Sequence, residues 1–126
     1  MYLLLDSTIV IDFLRGVPEA TARVAQIFAD GDQPMVNEIV VCEVRAGLNA
    51  PDIAGFEALL EPTEFIQPGP DAALRAGQWR AELRARGRVL SLGDSLVAAA
   101  AEAADATVVT RNVRDFSLTP VRLESY

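Results

Sequence analysis

The sequence predicts an α/β fold in which helices flank a short central sheet of mostly parallel strands. Short apolar runs alternate with longer segments of helical periodicity along the whole chain, as in strands joined by right-handed helical crossovers. Three of the helical segments end at glycines, namely Gly16, Gly31 and Gly87. A length of 126 residues with 51% hydrophobic content fits a single domain, residues 1–126, with an aliphatic core.

The first half of the chain is predicted to hold two strands and four helices. Tyr2–Leu5 is an uninterrupted apolar run and predicts a buried strand. The helix that follows, 7–15, cannot continue through Pro18. The other elements of this half are helix 19–30, strand 34–37, helix 38–48 and helix 51–60.

The second half repeats the alternation. Strand 63–66 leads through a Pro-Gly-Pro turn into a long helix, 71–86, and an alanine-rich helix follows at 94–104. The last elements are strand Thr107–Val109, a polar turn or short helix at 112–116, and strand 121–123.

The residue types that are missing exclude several kinds of enzyme. The chain has no histidine and no lysine, and all 11 of its basic residues are arginine. This excludes Ser-His-Asp triads, histidine-ligated zinc, the phosphate-binding lysine of P-loops and Schiff-base chemistry. Cys42 is the only cysteine, so no internal disulfide can form, as expected in a reducing compartment. Any chemistry must therefore come from carboxylates, hydroxyls, amides, arginines or a metal ion.

The charge of the chain is acidic overall but uneven. A formal net charge of −7 argues against a nucleic-acid partner, since phosphate binding is usually driven by basic surface. The arginines, however, are concentrated in one short stretch and one polar turn. No apolar run approaches the ~20 residues of a membrane span, and no signal peptide opens the chain, so we expect a cytoplasmic protein without membrane association.

Three aspartates lie at the ends of predicted elements. Asp6 ends the first strand, Asp94 lies at a helix start, and Asp115 lies in a polar turn. Each also has a structural interpretation, because aspartate caps helices and favours turns. Parallel strands bring their carboxyl ends to one edge of the sheet, where sites form in such folds. Asp12, by contrast, has Arg15 one turn later and is predicted to be a solvated surface acid.

A fourth acid, Glu43, lies in the middle of helix 38–48. Ile39, Cys42 and Ala46 recur there at helical spacing, so we expect that stripe to be buried and Cys42 to be a small core residue. A carboxylate among such neighbours is costly unless it is paired or binds a metal, and capping cannot explain it.

Converging carboxylates repel one another, so a cation is expected between them. Oxygen ligands without histidine or cysteine favour Mg²⁺ or Mn²⁺ over zinc. Such ions activate water and bind phosphodiesters. The four acids therefore predict a metal-dependent site at the carboxyl edge of the sheet.

The chain resembles the PIN-domain ribonucleases, and most closely the VapC-like toxins of bacterial toxin–antitoxin pairs. The resemblance covers essentially the whole chain and rests on four motifs in a fixed order: "YLLLDSTIVIDFL", "MVNEIVVCEVRAG", "GDSLVAAAAEAAD" and "VVTRNVRDF". Asn37 stands where the family often has Ser or Thr. The resemblance implies a PIN-like three-layer sandwich with a short, mostly parallel sheet.

The resemblance also implies an activity and a set of site residues. The activity is that of an endoribonuclease using Mg²⁺ or Mn²⁺. Asp6 and Asp94 are implied as direct metal ligands, with Glu43 and Asp115 completing the catalytic set, some through water. Thr110, Asn112 and Ser7 are implied to support the site.

Partners follow from the same resemblance. VapC-like proteins act on structured RNA such as tRNA, usually form homodimers and are covered by a cognate antitoxin. The arginines that could contact RNA phosphates are Arg75, Arg80, Arg84, Arg86, Arg88, Arg111 and Arg114.

Other classes of protein fit this sequence less well. A phosphatase of the haloacid dehalogenase type needs an acid where Thr8 stands, and it needs a lysine, as does a phosphate-receiver domain. A catalytically silent PIN-fold module that docks a protein or RNA remains the alternative, and it would show no metal-dependent cleavage.

Overall fold

Five strands form one sheet in the computed structural model, which describes all residues from 1 to 126. The strands are β1 (Tyr2–Leu5), β2 (Gln33–Asn37), β3 (Glu64–Ile66), β4 (Thr107–Val109) and β5 (Leu123–Glu124). Their order across the sheet is β3-β2-β1-β4-β5, and every neighbouring pair is parallel. All carboxyl ends therefore lie at one edge.

Seven helices connect and flank these strands. They are α1 (Ser7–Leu14), α2 (Pro18–Ala29), α3 (Glu38–Gly47), α4 (Ala50–Leu60), α5 (Pro70–Ala85), α6 (Leu92–Ala103) and α7 (Val113–Phe116). The predicted α/β class, with a central sheet between helices, is confirmed. No helix is both long and apolar enough to cross a membrane.

The central strand β1 is apolar because it is covered on both faces. Leu3, Leu4 and Leu5 are each 1% exposed or less. In the register, Leu4 lies opposite Met35 of β2 and Val108 of β4. A strand buried on both faces reads as a continuous hydrophobic run, and the first polar residue after it marks its exit at the carboxyl edge.

Two elements begin two residues away from their predicted starts, and every other boundary agrees within one residue. Helix α6 begins at Leu92 rather than at 94, because the Ser91 side chain accepts a hydrogen bond from the Asp94 amide at 3.1 Å and acts as the N-cap. Strand β5 is Leu123–Glu124 rather than 121–123, since its pairing with β4 begins opposite Val108.

The expected burial of Cys42 and Asp12 was wrong. Cys42 is exposed, and the buried face of α3 carries Val40 and Val44 instead. Asp12 is 4% exposed rather than solvated, and its partners are Tyr126 and Arg111 rather than Arg15. Both Asp12 partners lie far away in the sequence, so no local pattern points to them.

Candidate active site

Asp6 enters the carboxyl edge directly from β1 and is 2% exposed. It occupies the N-cap position of α1, but its side chain makes no capping hydrogen bond, so the capping interpretation is wrong for the carboxylate. Instead its Oδ2 accepts hydrogen bonds from the hydroxyls of Thr110 at 2.8 Å and Thr8 at 3.1 Å. Residues that follow two adjacent strands thus orient this carboxylate.

The two threonines also hold the loop after β4. The Thr110 hydroxyl accepts a hydrogen bond from the Asn112 amide at 2.9 Å, and the Thr8 hydroxyl accepts one from the Arg111 amide at 3.0 Å. Thr8 was not among the predicted supporting residues. Its signal in the sequence was a hydroxyl two residues after the strand-ending aspartate, whereas the predicted Ser7 forms no side-chain hydrogen bond.

Asp94 reaches the site from the first turn of α6, where the Ser91 cap fixes the backbone. Its Oδ2 accepts a hydrogen bond from the Asn112 side-chain amide at 3.4 Å. The pKa of Asp94 is raised, chiefly by burial and then by the charges of Asp6 and Asp115, against the lowering effect of Ser91. Asp94 therefore lies in the electrostatic field of two of the other predicted acids.

Glu43 approaches the same field from α3. The residue is exposed as a whole, so the prediction that it is buried on an apolar stripe was wrong. Its carboxyl nevertheless lies against α6, where a Cβ at Gly93 would be 3.3 Å from Oε2. Partial burial raises the pKa of Glu43, and the charges of Asp6 and Asp94 raise it further. Glycine at 93 leaves the room that this approach needs.

The acids are close enough to influence one another but do not form a closed cage. No group of three or more acidic side chains stands in position to ligate one ion. An all-oxygen donor set of this kind still fits Mg²⁺, which keeps several waters and usually takes only one or two carboxylates from a protein. The Oδ2 atom of Asp6 accepts hydrogen bonds from the two threonine hydroxyls. Its other oxygen, Oδ1, is therefore the one available to a metal ion.

The predicted RNA-contacting arginines fall into two groups. Arg75 and Arg80 are engaged within the protein: Arg75 pairs with Glu102 at 2.9 Å and lies over the Trp79 ring, and Arg80 donates to the Leu90 carbonyl at 3.1 Å. The members of the second group are exposed, namely Arg84, Arg86, Arg88, Arg111 and Arg114. Of these five, only Arg111 has a side-chain partner, Asp12.

A groove of about 340 Å³ lies at the carboxyl ends of β2 and β3. Asn37, Ile39 and Leu96 are among the residues that line it. The Asn37 side chain caps α3 by accepting a hydrogen bond from the Val40 amide at 3.1 Å, so the amide supplies the cap that a hydroxyl would. None of Asp6, Glu43, Asp94 and Asp115 lines this groove.

Comparison with known proteins agrees with this geometry. The PIN domain family model matches residues 3–120. Ribonuclease VapC19 of Mycobacterium tuberculosis is 32% identical over 117 residues, covering 93% of this chain and 94% of that protein. Ribonuclease VapC1 of Haemophilus influenzae is 27% identical over 122 residues, covering 92% of this chain and 90% of that protein.

Solved structures share the fold over the full length. VapBC2 from Rickettsia felis, bound to a promoter DNA fragment, matches with a TM-score of 0.87 at 23% identity, covering 100% of this chain and 99% of that one. DNA-bound VapBC from Salmonella typhimurium matches with a TM-score of 0.85 at 25% identity, covering 99% and 98%. The chain therefore belongs to the PIN-domain family and, within it, to the VapC-like proteins.

Proposed function

We propose that this protein is a Mg²⁺- or Mn²⁺-dependent endoribonuclease that acts in the cytoplasm as the toxin of a toxin–antitoxin pair. The observation that supports this most directly is the Asp6 carboxylate at the carboxyl edge of a PIN-type sheet, oriented by the hydroxyls of Thr110 and Thr8. Burial and then the charge of Asp6 raise the pKa of both Glu43 and Asp94, which supports the same site. Perturbed carboxyls gathered at a sheet edge are typical of catalytic sites.

The residues divide the work by position. Asp6 and Asp94 would hold the ion directly, while Glu43 and Asp115 would act on its waters. A bound Mg²⁺ or Mn²⁺ would supply Lewis-acid stabilisation of the phosphate and a more acidic water. Glu43 is suited to accept a proton from the attacking water, because its raised pKa brings it closer to neutral pH.

The bond changes follow from in-line displacement. The water oxygen forms a bond to phosphorus while the bond from phosphorus to the 3′ oxygen breaks. That oxygen then takes up a proton, so the products carry a 3′-hydroxyl and a 5′-phosphate. The two threonines keep the Asp6 carboxylate in one orientation during this exchange, which is the preorganisation that such a step needs.

The partners come from the relatives. The structural neighbours include toxin–antitoxin complexes, which supports an antitoxin partner for this chain. A homodimer and a structured RNA substrate such as tRNA belong to the same proposal. The alternative, a catalytically silent binding module, would retain such partners but cleave nothing.

Induction of the chain without its antitoxin tests this function. We expect growth arrest and a small set of new RNA 5′ ends, absent when Asp94→Asn is induced to the same level. An Asp71→Asn variant, which changes an exposed acid in the first turn of α5, is the matched control and should behave as wild type. Identical RNA ends from wild type and Asp94→Asn would contradict the proposal.

A further inference from the structure

Asp12 is a buried carboxylate that the proposed reaction does not use. Its side chain is 6% exposed, and burial of an ionised carboxylate is unfavourable unless partners compensate it. Two side chains compensate the Asp12 charge at the same carboxylate oxygen, Oδ2. Tyr126 donates its hydroxyl to Oδ2 at 2.6 Å, and Nη1 of Arg111 lies 3.4 Å from that atom.

The pairing leaves most of the Arg111 guanidinium free. Its side chain is 65% exposed, and only one of its nitrogens approaches Asp12. Its backbone amide donates to the Thr8 hydroxyl, which in turn donates to Asp6. The backbone of Arg111 is therefore hydrogen-bonded to Thr8, which orients Asp6, and its guanidinium is paired with Asp12.

Tyr126 is the hydrogen-bond donor to the Asp12 carboxylate. Burial and the hydrogen bond to Asp12 raise its pKa well above the ordinary value, so the phenol stays protonated at neutral pH. It comes from the segment after β5, 114 positions from Asp12 in the sequence.

We propose that Asp12 and Tyr126 position Arg111 to bind a phosphate of the RNA next to the acidic site. This deepens the proposed function and rests on it. A guanidinium offers a planar set of donors that matches two phosphate oxygens, and a fixed one loses less entropy on binding. A chain with a net charge of −7 needs such a cation where a polyanion approaches its carboxylates.

Single and double substitutions at Arg111 and Tyr126 distinguish the positioning of Arg111 from a general effect of charge. Arg111→Gln should lower kcat/KM for RNA cleavage roughly 10- to 100-fold, the range for a charged hydrogen bond, and Tyr126→Phe roughly threefold to tenfold. The double variant should be no slower than Arg111→Gln alone, since both changes remove one function. Matched controls are Tyr2→Phe, at an exposed tyrosine, and Arg122→Gln, at an exposed arginine paired with Asp105.

A second measurement distinguishes the loss of a phosphate contact at Arg111 from a structural defect. RNA binding is measured in chelator, without cleavage, across a range of NaCl concentrations. Arg111→Gln should reduce the slope of log affinity against log salt by about 0.7 to 1, the loss of one phosphate contact. A structural defect would lower the melting temperature without changing this slope, and fully additive effects in the double variant would equally overturn the proposal.

The two proposals can fail separately. Metal-dependent cleavage with a salt slope in Arg111→Gln equal to wild type would overturn the phosphate contact alone. An Arg111-dependent salt slope with no cleavage under any metal would overturn the nuclease proposal and leave a phosphate-binding site.

Discussion

The Glu43 carboxyl shows how one residue is tuned by its surroundings. It is partly exposed, yet its pKa is raised by partial burial and by two neighbouring acids. The folded, metal-free protein therefore binds more protons at this residue than the unfolded chain does at pH values between the unfolded and folded pKa. Its free energy of unfolding should fall as pH rises through that interval.

Replacing Glu43 with Gln should relieve this repulsion. In chelator at neutral pH we expect the variant to melt at a higher temperature than wild type, with the difference shrinking below about pH 4.5, the ordinary carboxyl range. Mn²⁺ should raise the melting temperature of wild type, because it binds the ionised native state only. Thermal melting at several pH values measures this.

The matched control for this variant is Glu57→Gln, which neutralises an exposed glutamate on α4. It should leave the pH dependence of melting unchanged. A lower melting temperature for Glu43→Gln in chelator, with no response of either protein to Mn²⁺, would contradict the repulsion at the site.

Residue identity alone predicted the acids but not their supports. Asp6 and Glu43 could be singled out because carboxylates at a strand end and in mid-helix are uncommon without a purpose, and Asp94 because it lies at a helix start at the same edge. The roles of Thr8, Asp12 and Tyr126 were not predicted, since hydroxyls and single acids near helix starts are common. The contact between Tyr126 and Asp12 joins residues 114 positions apart in the sequence.

At the scale of elements, the first turn of helix α6 carries Asp94 and, at Gly93, leaves space for the Glu43 side chain. Ser91 caps the helix, Gly93 lies against Glu43, and Asp94 faces Asp6. Gly93 lies in the first turn of α6, where a glycine costs less than the roughly 0.5–1 kcal/mol relative to alanine that applies in mid-helix. Its missing side chain leaves the room taken by the Glu43 carboxyl.

Gly93→Ala should therefore separate stability from activity. The added methyl would meet Oε2 at 3.3 Å, and the exposed Glu43 side chain can move away. We expect a protein as stable as wild type or more stable by less than about 0.5–1 kcal/mol, from helix propensity, with RNA cleavage reduced several-fold. Urea unfolding and a cleavage assay measure the two quantities.

Gly77→Ala in α5 is the matched control, because a Cβ there has no atom within 4 Å. It should gain at least as much stability with unchanged cleavage. Equal activity in the two alanine variants would show that the approach of Glu43 to α6 is irrelevant to the reaction.

The order of the strands and helices was predictable from the sequence. Every predicted boundary lies within two residues of the observed one. The alternation of strands and helices and the closing glycines were sufficient, because propensity and tertiary structure agree in those segments. The face of α3 was not predictable in the same way. Its β-branched residues offered two apolar stripes, and packing selected Val40 and Val44 over the stripe containing Cys42.

For the whole molecule, the question is how an acidic chain approaches RNA. Residues 86–91 join α5 to α6, so Arg86 and Arg88 lie on the segment that leads to the helix start carrying Asp94, and Arg84 lies in the last turn of α5. Arg84, Arg86 and Arg88 are exposed there and form no side-chain hydrogen bond or ion pair. They form a group of exposed, unpaired positive charges just before α6 in the sequence.

Neutralising these three arginines to glutamine should weaken RNA binding and reduce its salt slope by up to about 2–3, at roughly 0.7–0.9 per phosphate contact. The melting temperature should change little, since exposed side chains contribute little to stability. Arg75→Gln, which removes an arginine already paired with Glu102, is the control and should keep the wild-type slope. A triple variant with the wild-type slope would place the RNA elsewhere.

The central claim is that the carboxyl edge of the sheet is a metal-dependent RNA-cleaving site. The most direct measurement is cleavage of RNA by purified protein in chelator and then across a Mn²⁺ titration, for wild type and Asp6→Asn. We predict no cleavage in chelator, saturable cleavage by wild type with Mn²⁺, and a loss of roughly 100-fold or more in Asp6→Asn, as for other groups acting at a reaction centre. Cleavage by wild type in chelator, or equal cleavage by the two proteins at saturating Mn²⁺, would contradict it.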